Sequence, residues 1–173
     1  GRVILYPTDT IWGLGCDATN PDAVKCIYNI KQRADSKSLL VLIDTETRLM
    51  QYLEEVPEIA WQLIEVTDTP LTIVYPDARN LAPNLIAADG SVGIRLPQDE
   101  FCRQLINRFK KPIVSSSANI SGEPAPAHFG EIDQRLIEQV DYTVKWRQDD
   151  YTPARPSPVI RLGKGGQIEI LRK

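Results

Sequence analysis

Hydrophobic positions fall into short blocks with two periods. Runs rich in β-branched and aromatic residues occur at Val3–Tyr6, Leu39–Ile43, Leu71–Tyr75, Val92–Leu96, Ile113–Ser115, Tyr142–Trp146, Val159–Leu162 and Ile168–Leu171, and such runs predict strands. Between them, Asp22–Lys31, Thr45–Leu53, Glu58–Val66, Glu100–Phe109 and Ile132–Gln139 carry helical patterns. Val24, Ile27, Tyr28 and Ile30 return at roughly helical spacing, so one face of the first helix packs on a sheet. Asn20-Pro21 ahead of it supplies a cap acceptor followed by a residue that needs no N–H.

This alternation predicts an α/β fold. The last two strands, joined by Gly163-Lys164-Gly165-Gly166, predict an antiparallel hairpin, so the sheet is mixed. The Tyr6–Gly15 stretch reads as a glycine- and hydroxyl-rich turn leaving the first strand. Gln148–Pro158 is polar and contains Pro153, Pro156 and Pro158, which predicts a surface loop and a lid over any neighbouring site. With no repeat, low-complexity tract or linker, one domain spans residues 1–173. A strand starting almost at Gly1 is read as a chain whose natural N-terminus is missing.

Composition narrows the function classes. A chain of 173 residues with 42% hydrophobic and 25% charged residues buries a substantial single core. The net charge of −3 supplies no global basic field for nucleic acid, leaving local clusters for phosphate or weak RNA contact. Cys16, Cys26 and Cys102 are odd in number and widely spaced, which argues against a disulfide framework and for a reducing cytoplasm. No apolar run reaches the roughly 18 to 20 residues of a membrane span, and no signal peptide is visible.

Three polar segments carry the candidate chemistry. Lys31 and Arg33 end a helical pattern; in a continuing helix they would point about 200° apart, so they converge only if the helix stops there and the chain opens through Ala34–Ser38. The alternative is a solvated helix end whose cations complement the dipole. Ser115-Ser116-Ser117-Ala118-Asn119 follows a buried strand, where ligands of open α/β sheets collect; its alternative is a self-capping turn. In Thr8-Asp9-Thr10 the hydroxyls either orient a small polar substrate or satisfy the turn, and Asp9 alone is weak evidence for a base. His128, the only histidine, excludes a histidine triad or histidine-rich metal site. The glycine-rich 163–166 segment lacks phosphate-loop spacing, and Cys102 lies in a packing pattern.

Taken in order, Y-P-T-D-T-x-W-G-L-G-C-D (Tyr6 to Asp17), K-Q-R (Lys31 to Arg33), S-V-G-I-R (Ser91 to Arg95) and S-S-S-A-N-I-S-G (Ser115 to Gly122) resemble the YrdC family of L-threonylcarbamoyl-AMP synthases, from about residue 3 to 172. The resemblance implies an open, twisted mixed sheet with flanking helices around a concave basic cavity. It implies joining of L-threonine, bicarbonate and ATP into threonylcarbamoyl-AMP with release of pyrophosphate, Mg²⁺ accompanying the ATP, and delivery to a tRNA-threonylcarbamoyl transferase machinery. Lys31 and Arg33 would be the catalytic cations. They would bind ATP together with Ser115, Ser117, Asn119 and Arg172, while Thr8, Arg95 and Ser157 would hold threonine; no protein-held metal is implied.

Departures from the family pattern are Ala34 and Ser38 at common proline positions, Leu42 where some members have histidine, a shortened Asp68-Thr69-Pro70-Leu71-Thr72, and Pro158 after Ser157. A non-catalytic RNA-binding maturation factor using the same cavity is the alternative from another class. A carbamoyl-adenylate enzyme with a different amino acid or carbamoyl donor is a further one.

Overall fold

The computed structural model describes residues 1–33 and 39–173; Ala34–Ser38, read above as irregular chain, lie outside the described residues. Among the described residues nine strands form one sheet: β1 (Ile4–Tyr6), β2 (Gly13–Gly15), β3 (Leu40–Leu42), β4 (Thr72–Tyr75), β5 (Val92–Arg95), β6 (Ile113–Ser117), β7 (Tyr142–Thr143), β8 (Val159–Leu162) and β9 (Ile168–Arg172). Their order is β7-β1-β2-β6-β3-β5-β4-β8-β9. The pairs β1/β7, β3/β5 and β4/β8 are parallel and the others antiparallel, so the α/β mixed sheet expected from the pattern is what the chain builds. The helices are α1 (Pro21–Ile30), α2 (Leu49–Tyr52), α3 (Glu58–Val66), α4 (Glu100–Phe109) and α5 (Gln134–Ile137). None is long and apolar enough to cross a membrane among the described residues.

Four sequence expectations need correction. Thr45–Leu53 is a 3₁₀ turn (Glu46–Arg48) followed by the single-turn α2, and Ile132–Gln139 shrinks to α5. Tyr142–Trp146 pairs only through Tyr142–Thr143. Gly13–Gly15, read as turn, is a buried interior strand. Glycine is normally depleted in strands, but here the lack of a side chain is what lets Tyr6 lie across β2. A Cβ on Gly15 would sit 2.6 Å from the Tyr6 ring. The Tyr6 hydroxyl donates to the Val114 carbonyl of β6 (3.3 Å), and burial pushes its pKa far above the ordinary phenol value.

Alternate strand residues face opposite sides of the sheet. Leu5, Val41, Ile73, Ile94 and Val114 join α1 and residues of α3 in the main core. Tyr6, Leu42 and Ile113 pack with Cys102 and Ile106 of α4 in a smaller one. The small core occupies only part of its face, and the candidate site lies on the remainder.

Candidate active site

Strand register aligns the site. One row crosses five strands as Leu42, Arg95, Thr72, Val159 and Arg172; the next runs Ser115, Leu40, Gly93, Val74 and Arg161. In β3, β4, β5, β6 and β8 these positions alternate with residues facing the main core, which places them on one face; Arg172 joins them through its pairing with Val159. All of them but Leu42, which packs in the small core, floor a cavity of about 440 Å³ whose walls add Thr10, Trp12, Arg33, Ser116, Ser117, Asn119, Glu123 and Ser157. Such a volume suits a small-molecule site. Among the described residues, four arginines (Arg33, Arg95, Arg161 and Arg172) and one carboxylate, Glu123, line it. That balance favours a polyanionic ligand despite the acidic whole chain.

The end of α1 decides what each member of the cation pair does. The helix stops at Ile30, and Gln32 takes a left-handed conformation (φ 49°). The N–H groups of Gln32 and Arg33 bond the carbonyls of Asn29 (3.0 Å) and Tyr28 (2.9 Å), the paired pattern of a left-handed helix cap. The helical 200° separation is thereby broken, and Arg33 turns onto the cavity wall.

Lys31 does not line the cavity; its side chain is buried behind it, 1% exposed. Its ammonium donates to the carbonyls of Ser117 and of Asn119 (2.7 Å), with the Asn119 carboxamide oxygen at 3.5 Å. Burial first, and Arg33 second, lower its pKa to about 8. The solvated-helix-end alternative fails for this lysine.

The hydroxyl-rich loop after β6 is braced onto the same helix end. Ser121 N–H donates to the Lys31 carbonyl (2.9 Å), and the Asn119 amide donates to the carbonyls of Ile120 (3.1 Å) and Glu123 (2.7 Å). Ser115 and Ser117 line the cavity from β6 itself, just ahead of this braced loop.

Of the residues assigned to threonine, Arg95 and Ser157 reach the cavity and Thr8 does not. Arg95 is almost fully buried; NH1 donates to Thr10 Oγ1 (2.7 Å) and NH2 lies 3.2 Å from Asp9 Oδ1. Its Nε is buried with no hydrogen-bond partner among the described residues, an unsatisfied group of the kind that calls for a functional explanation. Ser157 shares a hydrogen bond with Thr72 (2.8 Å), while its carbonyl accepts from Arg172 Nε (3.0 Å) and NH2 (2.6 Å). The assigned nucleotide and amino-acid residues therefore meet in one hollow. Thr8 opens instead onto a neighbouring depression bounded by the 148–158 loop.

Sequence reasoning missed Arg161 and Thr72, while Thr10 was noted only as one of the turn hydroxyls. Arg161 interrupts an apolar strand run at a position whose parity matches Val159, the signal that it faces the cavity. Thr72 was visible only as the end of a shortened motif.

The wall carries no cysteine, histidine or lysine among the described residues. Burial raises the Cys16 thiol to about 12 and Cys102 higher than its ordinary value, so neither is an accessible thiolate. No group of three or more metal-ligating side chains comes together among the described residues. With Glu123 the one carboxylate of the wall among the described residues, those residues do not form a cage for a resident divalent ion.

Comparison with known proteins fits this geometry. A family model named Sua5/YciO/YrdC and described as "Telomere recombination" matches residues 1–173. The chain belongs to the Sua5/YciO/YrdC family. A family relative from Pseudoalteromonas translucida, named threonylcarbamoyl-AMP synthase, is 33% identical over 147 residues, covering 83% of this chain and 79% of that protein. Escherichia coli YciO superposes with a TM-score of 0.85 at 25% identity, over 100% of this chain and 83% of that one. Pyrococcus abyssi Sua5, solved in complex with L-threonine, gives a TM-score of 0.83 at 28% identity over 93% of this chain and 47% of its own. This chain therefore spans about half the length of that Sua5 protein.

Proposed function

We propose that this chain is an L-threonylcarbamoyl-AMP synthase, a nucleotidyl-transferring enzyme that joins L-threonine, bicarbonate and ATP and releases pyrophosphate. The observation that carries the reading is the convergence of Arg33, Arg95, Arg161 and Arg172 with the Ser115–Ser117 hydroxyls on one cavity that, among the described residues, has no cysteine, histidine or lysine in its wall. Relatives named as threonylcarbamoyl-AMP synthases and a threonine-bound family structure support it.

The chemistry requires this kind of site. The threonine amine and bicarbonate condense to a carbamate with loss of water. A carbamate oxygen then attacks the α-phosphorus of ATP, and pyrophosphate leaves with the electron pair of the broken P–O bond. Both reactants are anions, so their mutual repulsion is the main obstacle. Fixed guanidiniums offset it without reorganising during the reaction, and holding the partners in line contributes the rest. Arg33 and Arg172 serve the phosphates, with hydroxyl donors from Ser115 and Ser117. Arg95, its Nε without a protein partner among the described residues, takes the threonine carboxylate beside Ser157. Lys31 and Asn119 hold the end of the strand that presents those serines and the loop that follows it. Magnesium enters as the counter-ion of ATP, and the product passes to a tRNA-modifying partner.

The test is pyrophosphate release with each of the three small substrates omitted in turn. Release that requires all three is expected; release without threonine refutes the proposal. Salt-sensitive RNA binding without turnover would instead identify the non-catalytic RNA factor, a reading that no observation here favours.

A further inference from the structure

We propose that the Thr8-Asp9-Thr10 turn is an aiming device for Arg95: the three side chains position the guanidinium that grips an α-amino-acid carboxylate, and Thr8 itself does not touch substrate. This rests on the amino-acid-binding role given to Arg95 above and adds how that role is enforced.

Proton bookkeeping fixes the direction of every bond. The Thr8 hydroxyl has one proton, donated to the Ile11 carbonyl (2.8 Å), which can only accept. The same oxygen accepts the Thr10 backbone N–H (3.1 Å). The contact between the Thr8 and Thr10 oxygens (3.0 Å) must then use the Thr10 proton. Thr10 in turn accepts from Arg95 NH1 (2.7 Å). The chain therefore runs one way, from Arg95 through Thr10 and Thr8 to Ile11. The Thr8 hydroxyl now has its proton and both lone pairs engaged, which leaves no capacity for a ligand.

Asp9 closes the other side of the guanidinium. Its Oδ1 lies 3.2 Å from Arg95 NH2 with both side chains buried, and its Oδ2 accepts the Gln98 backbone N–H (3.0 Å). The carboxylate is thus pinned from two directions, and it faces the neighbouring depression rather than the cavity. That arrangement suits a holder, not a base. With NH1 bonded to Thr10 and NH2 paired with Asp9, the planar guanidinium has one orientation, and its buried Nε has no hydrogen-bond partner among the described residues. A carboxylate is the acceptor that matches it. Since the turn acts on the carboxylate end, it sets affinity for amino acids in general and not the choice among their side chains.

The experiment compares wild type with Thr8→Val, Thr8→Ser, Asp9→Asn, Thr10→Val and the Thr8→Val/Thr10→Val pair, reading pyrophosphate release with L-threonine or L-serine at saturating ATP and bicarbonate. Thr8→Val, Thr10→Val and Asp9→Asn should each raise KM for L-threonine about tenfold, the scale of one lost buried hydrogen bond. KM for ATP and the threonine-to-serine ratio of kcat/KM should stay unchanged. Thr8→Ser, which keeps the hydroxyl, should behave as wild type, and the double variant should be no worse than Thr10→Val. A changed threonine-to-serine ratio in Thr8→Val, or effects that multiply in the double variant, overturns the inference. If the valine variants fail to fold, the near-isosteric Asp9→Asn decides: a wild-type KM for threonine overturns the inference. Wild-type protein without threonine-dependent release overturns the functional reading as well, which separates the two failures.

Discussion

The cavity has two unlike walls. On one side Gly13, Arg95 and Ser115–Ser117 belong to interior strands that are buried almost throughout, with Arg95 2% exposed. On the other side β8 and β9 form an edge hairpin whose last strand is exposed along its whole length. The same residue type serves both walls, yet Arg95 is gripped by Thr10 and Asp9 while Arg172 rests on one backbone carbonyl. Burial makes the first wall rigid and pre-aimed. Exposure leaves the second free to admit and release a large nucleotide, since elements with few buried contacts open at low free energy.

Truncation tests that contrast most sharply at the buried wall. Arg95→Ala removes the partner of a buried carboxylate, so unfolding free energy should drop by about 3–5 kcal/mol, read by denaturant titration. A loss below 1 kcal/mol would mean that Asp9 is not held by this pair. Next comes Arg33→Ala, which should weaken transition-state binding by roughly 1.5–3 kcal/mol, a charge-assisted hydrogen bond. That equals about 10- to 150-fold in kcat/KM; wild-type pyrophosphate release would remove Arg33 from the mechanism. Arg172→Ala on the exposed wall should change stability by less than about 1 kcal/mol while raising KM for ATP several-fold. A stability loss matching that of Arg95→Ala would erase the distinction between the walls.

The smallest effect is a pH dependence from behind the rigid wall. In the ligand-free protein Lys31 is lowered to about 8. A polyanion beside Arg33 favours the ammonium form, so its pKa is higher in the complex and binding takes up a proton. ATP affinity should therefore be flat below about pH 8 and fall above it, by at most about tenfold per pH unit. Titration calorimetry in buffers of different ionisation enthalpy reads the uptake directly. No uptake between pH 8 and 9 would mean that the lysine does not sense the nucleotide.

Much of the architecture was legible because burial writes a period into the chain. α1 was readable at both ends, from Asn20-Pro21 at its start and from the geometric conflict between Lys31 and Arg33 at its close. β2 was not, because Gly13-Leu14-Gly15 carries the composition of a turn, and the reason for its glycines is the distant Tyr6 ring. The functional side chains divide the same way. Arg33, Arg95, Ser115 and Ser117 stand in segments that looked chemical and do line the cavity. Arg161 sits in a hairpin that looked ordinary.

The order of strands and helices, the mixed character of the sheet and the family were decided by the sequence alone, since each depends on local period, turn chemistry or motif. Which residue of a motif faces the ligand was decided only by tertiary structure. Lys31 and Arg33, or Thr8 and Thr10, are chemically interchangeable on paper. Strand register, a left-handed residue at a helix end and the fixed direction of a hydroxyl proton assign one of each pair to the cavity and the other to the scaffold behind it.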